Sequence, residues 1–278
     1  MIVSISRRCD IPRFRYDWFR ERLDAGFVEV ANPYNSGQIR RVSLLPTDAE
    51  ILVFWTRDPG AILKDAENLE NQGYRFYVMT TLTGYPGVLE PNMPSREEVI
   101  GYMRELGKKL GPERIIWRYD PLFLSTLTDL QFHLANFRAL ARALEGRVRR
   151  VIISFYDEYP RTKKRISEAE GAKSFRMLPC SDDTGSVLPE VRALLAAMVR
   201  DAGNSGIRIQ TCAEAEDLSS LGIGAGSCID GELIRNLWGV EAGEKDRYQR
   251  PRCLCVSALD IGAYGSCPGG CVYCYARR

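Results

Sequence analysis

The 278-residue chain is predicted to be an α/β protein built as a TIM-type parallel β/α barrel, full or partial, with a cysteine-rich C-terminal segment. Three observations predict this. Apolar runs of strand length alternate with helical stretches at least six times, as a parallel sheet requires. Each apolar run stops at a polar cluster, and in a barrel the C-terminal strand ends share one face, where sites are built. Seven of the nine cysteines fall between Cys212 and Cys274. A doubly wound open sheet is the alternative that periodicity leaves open. The expected division is a barrel over residues 1–211 and a C-terminal segment over 212–278, packed on the barrel mouth.

Ile2-Val3-Ser4-Ile5 reads as a first strand, ended by Arg7-Arg8-Cys9-Asp10 and Pro12. Tyr16 to Ala25 is helical, with Gly26 as its stop. Val28–Val30 and Arg41–Leu44 form short strands around Asn32-Pro33-Tyr34-Asn35, a hairpin pattern. Ile51 to Trp55 is apolar throughout, which fits a strand covered on both faces. A helix over Ala61–Gln72 and a strand over Phe76–Met79 follow. Ser95 with Glu98 three residues on predicts a helix start through a capping box. Arg114–Arg118 is a strand, Thr128–Leu144 a helix, Val151–Phe155 a strand, Leu188–Ala202 a helix and Ile207–Gln210 a strand. Ala258–Ile261 is a candidate strand feeding the last cysteines. Trp55 and Trp117 sit late in apolar strands and are read as core.

Composition narrows the function classes. Hydrophobic residues at 45% and charged residues at 27% exclude a disordered chain, collagen or a disulfide miniprotein. No apolar run approaches the length of a membrane span. The opening MIVSISRRCD meets arginines too early for a signal-peptide core, so a cytoplasmic protein with no membrane partner is expected. A net charge of +2 demands no polyanion and weighs against long duplex contacts, so a small molecule is the first expectation and a nucleotide or nucleic-acid lesion the alternative.

The strand-end clusters supply the candidate pocket residues Asp10, Arg57, Arg118, Asp120, Asp157 and Glu214. Three clusters pair Arg with Asp, and arginines converging on one face would suit a small substrate carrying carboxylate or phosphate. His133, the lone histidine, is read as a helix surface or packing residue. Arg277-Arg278 is read as solvated.

Cysteine usage points to metal, because an odd number without an export signal argues against a disulfide framework. Cys267, Cys271 and Cys274 form C-x3-C-x2-C around Pro268-Gly269-Gly270, with Tyr273 before the last cysteine. Three thiolates suit a four-iron, four-sulfide cluster with one iron left open, and a zinc site is the alternative. Cys212, Cys228, Cys253 and Cys255 are the complement of a second, closed site, iron–sulfur ahead of zinc. Cys9 and Cys180 are read as bystanders, although Arg7 and Arg8 would lower a thiol pKa at Cys9.

The triplet resembles the signature of the radical S-adenosylmethionine superfamily. That resemblance implies Cys267, Cys271 and Cys274 as cluster ligands and S-adenosylmethionine on the open iron, cleaved by one electron to a 5′-deoxyadenosyl radical. It also implies Tyr273 near the adenine and a reductant such as flavodoxin or ferredoxin. In that superfamily the motif stands near the N-terminus, whereas here it stands at the C-terminal end. The phrases SISRRCDIP, NPYN, VFWTRDP, TLTGY, PERIIWRYDP, TCAE and DIGAYGSCPGGCVYCYA resemble, over essentially the full chain, the bacterial family called domain of unknown function 1848. The resemblance implies a cofactor class and no substrate, with threonine rather than Cys9 before Asp-Ile-Pro. Three functions are therefore carried forward: a radical S-adenosylmethionine-type enzyme, a non-radical iron–sulfur enzyme or electron carrier, and a metal-stabilised binding protein.

Overall fold

In the computed structural model, which describes residues 1–172 and 175–277, eight strands form one sheet in which every pairing is parallel. The strands are β1 (Ile2–Ile5), β4 (Ile51–Thr56), β5 (Arg75–Thr81), β6 (Ile115–Leu122), β7 (Arg150–Phe155), β8 (Arg208–Cys212), β9 (Gly224–Gly226) and β10 (Leu259–Asp260). Their order is β10-β1-β4-β5-β6-β7-β8-β9. From β1 to β9 each strand adds beside its predecessor, so the order never reverses as it does in a doubly wound sheet. Among the described residues no pairing joins β9 to β10. β2 (Phe27–Asn32) and β3 (Asn35–Ser43) form the separate antiparallel hairpin.

Alternation along the strands sorts their side chains onto two buried faces. Leu52 and Phe54 of β4, Phe76 and Val78 of β5, and Ile115 and Trp117 of β6 join the main core. There they meet α2 (Tyr16–Ala25), α3 (Gly60–Asn71), α4 (Arg96–Leu110), α5 (Leu130–Ala143) and α7 (Pro189–Asn204) through Phe19, Ile62, Met103, Phe137 and Leu195. Ile51, Val53, Trp55, Tyr77, Met79, Ile116 and Ile152 face the other way. Their cover is Ile229, Ile234 and Trp238 of the segment carrying α8 (Gly231–Trp238), together with Cys212, Cys228, Cys253 and Cys255. The continuous apolar run of β4 thus follows from burial on both faces, with all six residues buried. The residue 211/212 division falls inside β8, and the segment after it contributes β9, α8 and β10.

The helix signals act as read. Gly26 ends α2 in the left-handed region at φ 77°, and Ser95 and Glu98 exchange the two hydrogen bonds of a capping box at α4. α5 begins at Leu130, two residues after the expected start at Thr128, with Asp129 as its cap. The short helix α1 (Ile11–Phe14) and three further elements escape the sequence pattern: α6 (Pro160–Gly171), α8 and β9. In α6 only Thr162 and Ile166 are buried, too few to write an apolar stripe, and β9 is Gly-Ala-Gly. His133 is fully buried and Trp117 is at 0% exposure, so both are packing residues. Among the described residues, no helix is long and apolar enough to cross a membrane.

Candidate functional site at the C-terminal strand ends

β1 and β10 are hydrogen-bonded neighbours, so the loops leaving them leave side by side. Asp260 at the end of β10 locks the two together. Its carboxylate accepts from Ser4 Oγ at 2.9 Å, Ser6 Oγ at 2.6 Å, the Arg7 N–H at 2.8 Å and the Gly262 N–H at 2.9 Å. This places Cys9, on the β1 loop, in thiol contact with Cys267, on the β10 loop. Cys9 thus lies beside one of the three loop cysteines. Its pKa is raised, not lowered, because the hydrogen bond shared with Cys267 and then burial outweigh nearby positive charge. Cys267 is held down to about 6, chiefly by that Cys9 contact and by N–H groups of Asp10 and Gly269.

The loop 267–274 is anchored at several points. Asn92 Nδ2 donates to the Pro268 carbonyl at 2.9 Å, and the Val272 N–H donates to the Leu89 carbonyl at 3.0 Å. Arg165, from the unanticipated helix α6, donates to the carbonyls of Val272 at 3.2 Å, Arg277 at 3.1 Å and Cys274. Arg277 itself is exposed and donates to the Gly270 carbonyl at 3.0 Å, while Arg278 lies outside the described residues.

Arg57, leaving β4, reaches this loop. Its guanidinium lies 2.8 Å from Glu90 Oε1, donates to Tyr273 Oη at 2.8 Å and to Thr83 Oγ1 at 3.2 Å. Thr83 and Tyr273 both donate to Glu90 as well. Tyr273 is 6% exposed and packs against Phe123 and Tyr85. Arg57 is also a charged neighbour of Cys271 and Cys274. Cys271 is pushed up to about 12 by burial, against the pull of Arg57. A cavity of about 360 Å³ opens beside Arg57 and Glu90, lined also by Thr83, Tyr85, Met93 and Arg96. Glu90 was missed in the sequence because a single loop carboxylate before proline carries no local signal.

The remaining strand-end residues divide by role. Asp10 accepts from Thr56 Oγ1 at 2.7 Å and from the N–H groups of Arg57 at 2.7 Å and Arg13 at 3.1 Å, so it caps α1 (Ile11–Phe14) and braces β4. Burial nevertheless raises its pKa to about 6. Arg118 pairs with Asp120, which also accepts from Ser154, and the Arg118 guanidinium lies 4.9 Å over the Trp55 ring. Glu214 accepts from the Phe155 N–H at 3.0 Å, and burial lifts its pKa to about 7. Asp157 pairs with Arg250 at the surface.

Two arginines, Arg118 and Arg7, are charged neighbours of both cysteine groups. Tyr275 borders Cys274, and the Arg118 charge acts both on Tyr275 and on Cys212 and Cys228. Arg7 acts on Tyr275 and Cys255. Cys180 packs at the edge of the main core. Among the described residues no group of three or more His, Cys, Asp or Glu side chains is arranged to hold a metal ion.

The family pattern described as Domain of unknown function (DUF1848) matches residues 2–276. No curated protein and no solved structure matches the chain.

Proposed function

The chain belongs to the DUF1848 family, and from that premise we propose that it is an iron–sulfur enzyme of the radical S-adenosylmethionine type, curled as a partial barrel and acting on a small anionic or nucleotide-like substrate. The observation that carries the reading is the anchoring of the Cys267–Cys274 loop at the strand ends beside a buried arginine, Arg57. The residues fit a three-thiolate cluster. Cys267, Cys271 and Cys274 would hold it, Arg57 would offset its charge, and the Gly269 N–H already donates to the Cys267 sulfur. When bound, such a cluster with S-adenosylmethionine supplies one-electron cleavage of a sulfonium and hydrogen-atom abstraction.

The chain's own residues do the rest. Glu90 and Arg57 fix Tyr273 and with it the loop. The apolar wall of Phe123, Tyr85 and Tyr273 keeps water from that end of the site. Arg118, half-buried and held by Asp120, carries a guanidinium suited to carboxylate or phosphate. Glu214, lifted to about 7, can hold or release a proton near neutrality. Electrons would come from a small redox protein such as flavodoxin or ferredoxin.

Anaerobic purification followed by EPR of the dithionite-reduced protein, with and without S-adenosylmethionine, tests the reading. The expected result is a cluster signal that S-adenosylmethionine alters and that Cys267→Ala/Cys271→Ala/Cys274→Ala abolishes. Zinc in place of iron overturns the proposal entirely. An iron–sulfur signal indifferent to S-adenosylmethionine overturns the radical reading.

A further inference from the structure

We propose that Cys212 and Cys228 form a redox-active dithiol that passes two electrons to a small anionic disulfide and closes to a disulfide of its own. Strand pairing delivers the two thiols to one place. Cys212 ends β8 and stands in register with Gly226 of β9, and Cys228 follows two residues later. The Cys228 S–H donates to Cys212 Sγ with the sulfurs 3.5 Å apart. Thiolates on separate irons of a four-iron cluster stand much wider apart than that, and among the described residues no three ligands gather about one ion. Two sulfurs already in contact need only close to the bond length of about 2.05 Å, which suits thiol–disulfide exchange.

Access and charge assign the roles. Cys212 is half-buried and Cys228 is 2% exposed, so an incoming disulfide meets Cys212 first. The hydrogen bond keeps a proton on Cys228 and directs it at the Cys212 sulfur. Arg118 and Arg250 are charged neighbours of Cys212, and cations favour the attacking thiolate. The same guanidiniums suit the carboxylates of a small anionic disulfide. Cys253 and Cys255 are buried, and Cys255 lies against Cys228 and accepts from the Ile229 N–H at 3.3 Å.

The exchange runs in two steps. Cys212 attacks one sulfur of the incoming disulfide, which forms a mixed disulfide and expels the other half with the Cys212 proton. Cys228 then attacks the Cys212 sulfur and expels the second half, which takes the Cys228 proton. One S–S bond forms in the protein as one breaks in the reagent. The dithiol is oxidised by two electrons, and the reagent leaves as two thiols. A reversible pair of this kind needs no disulfide framework elsewhere in the chain.

Oxidised glutathione is the probe, added to the anaerobically purified full-length protein before alkylation and tryptic mapping. Residues 209–235 form one tryptic peptide that holds both cysteines, and residues 253–277 form another that holds Cys253 and Cys255. The expected 209–235 peptide carries no alkyl group, is two hydrogens lighter than its reduced form, and regains both alkylation sites after dithiothreitol. Cys228→Ser is expected to stall with glutathione on Cys212, and Cys212→Ser to leave Cys228 alkylated. Full alkylation of both cysteines in the wild type overturns the proposal, as does a bond from Cys228 to Cys255 that links the two peptides. Glutathione on Cys228 in Cys212→Ser overturns the assigned order of attack. Should either variant fail to fold, the wild-type map decides alone. The map reads neither iron nor S-adenosylmethionine, so it stands or falls apart from the function proposed above.

Discussion

Arg57 and Glu90 lie 2.8 Å apart with side chains 14% and 6% exposed, a buried ion pair that ties the end of β4 to the loop after β5. Tyr273 hydrogen-bonds to both partners, so the pair also sets where the cysteine loop rests. Removing one charge leaves the other buried and uncompensated, which costs about 3–5 kcal/mol. Arg57→Met is therefore expected to lower the urea unfolding free energy by that amount. Arg57→Met/Glu90→Gln should recover part of it, giving a coupling of about 1–3 kcal/mol in a double-mutant cycle. Strictly additive losses would show that the two side chains do not depend on each other.

The contact between Cys9 and Cys267 raises the question of a fourth thiolate at the triplet. If the three loop cysteines are the ligands and one iron is open, Cys9→Ser keeps the iron content and the response of the EPR signal to S-adenosylmethionine. The threonine implied at this position by family resemblance fits that outcome, because a hydroxyl can still hydrogen-bond to Cys267. Loss of iron from folded Cys9→Ser would instead make Cys9 a ligand and the cluster closed.

The elements written by local physics were legible from sequence, and those written by partners were not. The run Ile51–Trp55 announced a strand because both its faces are buried, and Ser95 with Glu98 announced a helix start because the capping box is local. Even the two-residue β10 lay within the stretch Ala258–Ile261 read as feeding the triplet. By contrast, α6 hides its role in one side chain, Arg165, whose partners are carbonyls more than a hundred residues away. Glu90 meets Tyr273 across 183 positions, and Cys9 meets Cys267 only because β1 and β10 pair. Sites assembled across such separations depend on strand order, which periodicity does not encode.

His133 ties acid sensitivity to one buried ring. Its Nδ1 accepts from Tyr119 Oη at 2.8 Å and its Nε2–H donates to the Phe123 carbonyl at 3.3 Å, which uses both nitrogens in the neutral form. Burial pushes its pKa down to about 4. The unfolded chain, with an ordinary histidine near 6.5, binds the proton first, so this contribution is full above about pH 6.5 and is lost as the pH falls toward 4. The whole effect is at most about 3 kcal/mol. Urea unfolding at pH 7 and pH 4.5 should show a fall in stability that is smaller in His133→Gln. An equal fall in both proteins would place the acid sensitivity elsewhere.

Two glycines of α4 set helix propensity against packing. Alanine is favoured over glycine inside a helix by about 1 kcal/mol, so propensity alone stabilises both Gly101→Ala and Gly107→Ala. Gly101 is exposed, with nothing within 4 Å of an added Cβ, and there the gain of about 0.5–1 kcal/mol should be measured. At Gly107 the added Cβ would lie 2.3 Å from the carbonyl oxygen of Arg147, in the turn between α5 and β7. That atom is backbone and cannot rotate away, so α4 must move off the sheet or the turn must shift. Overpacking of this kind costs about 1–3 kcal/mol, more than propensity returns. Gly107→Ala is expected to lower the unfolding free energy while Gly101→Ala raises it. A gain in both would mean that α4 does not press on the Arg147 backbone.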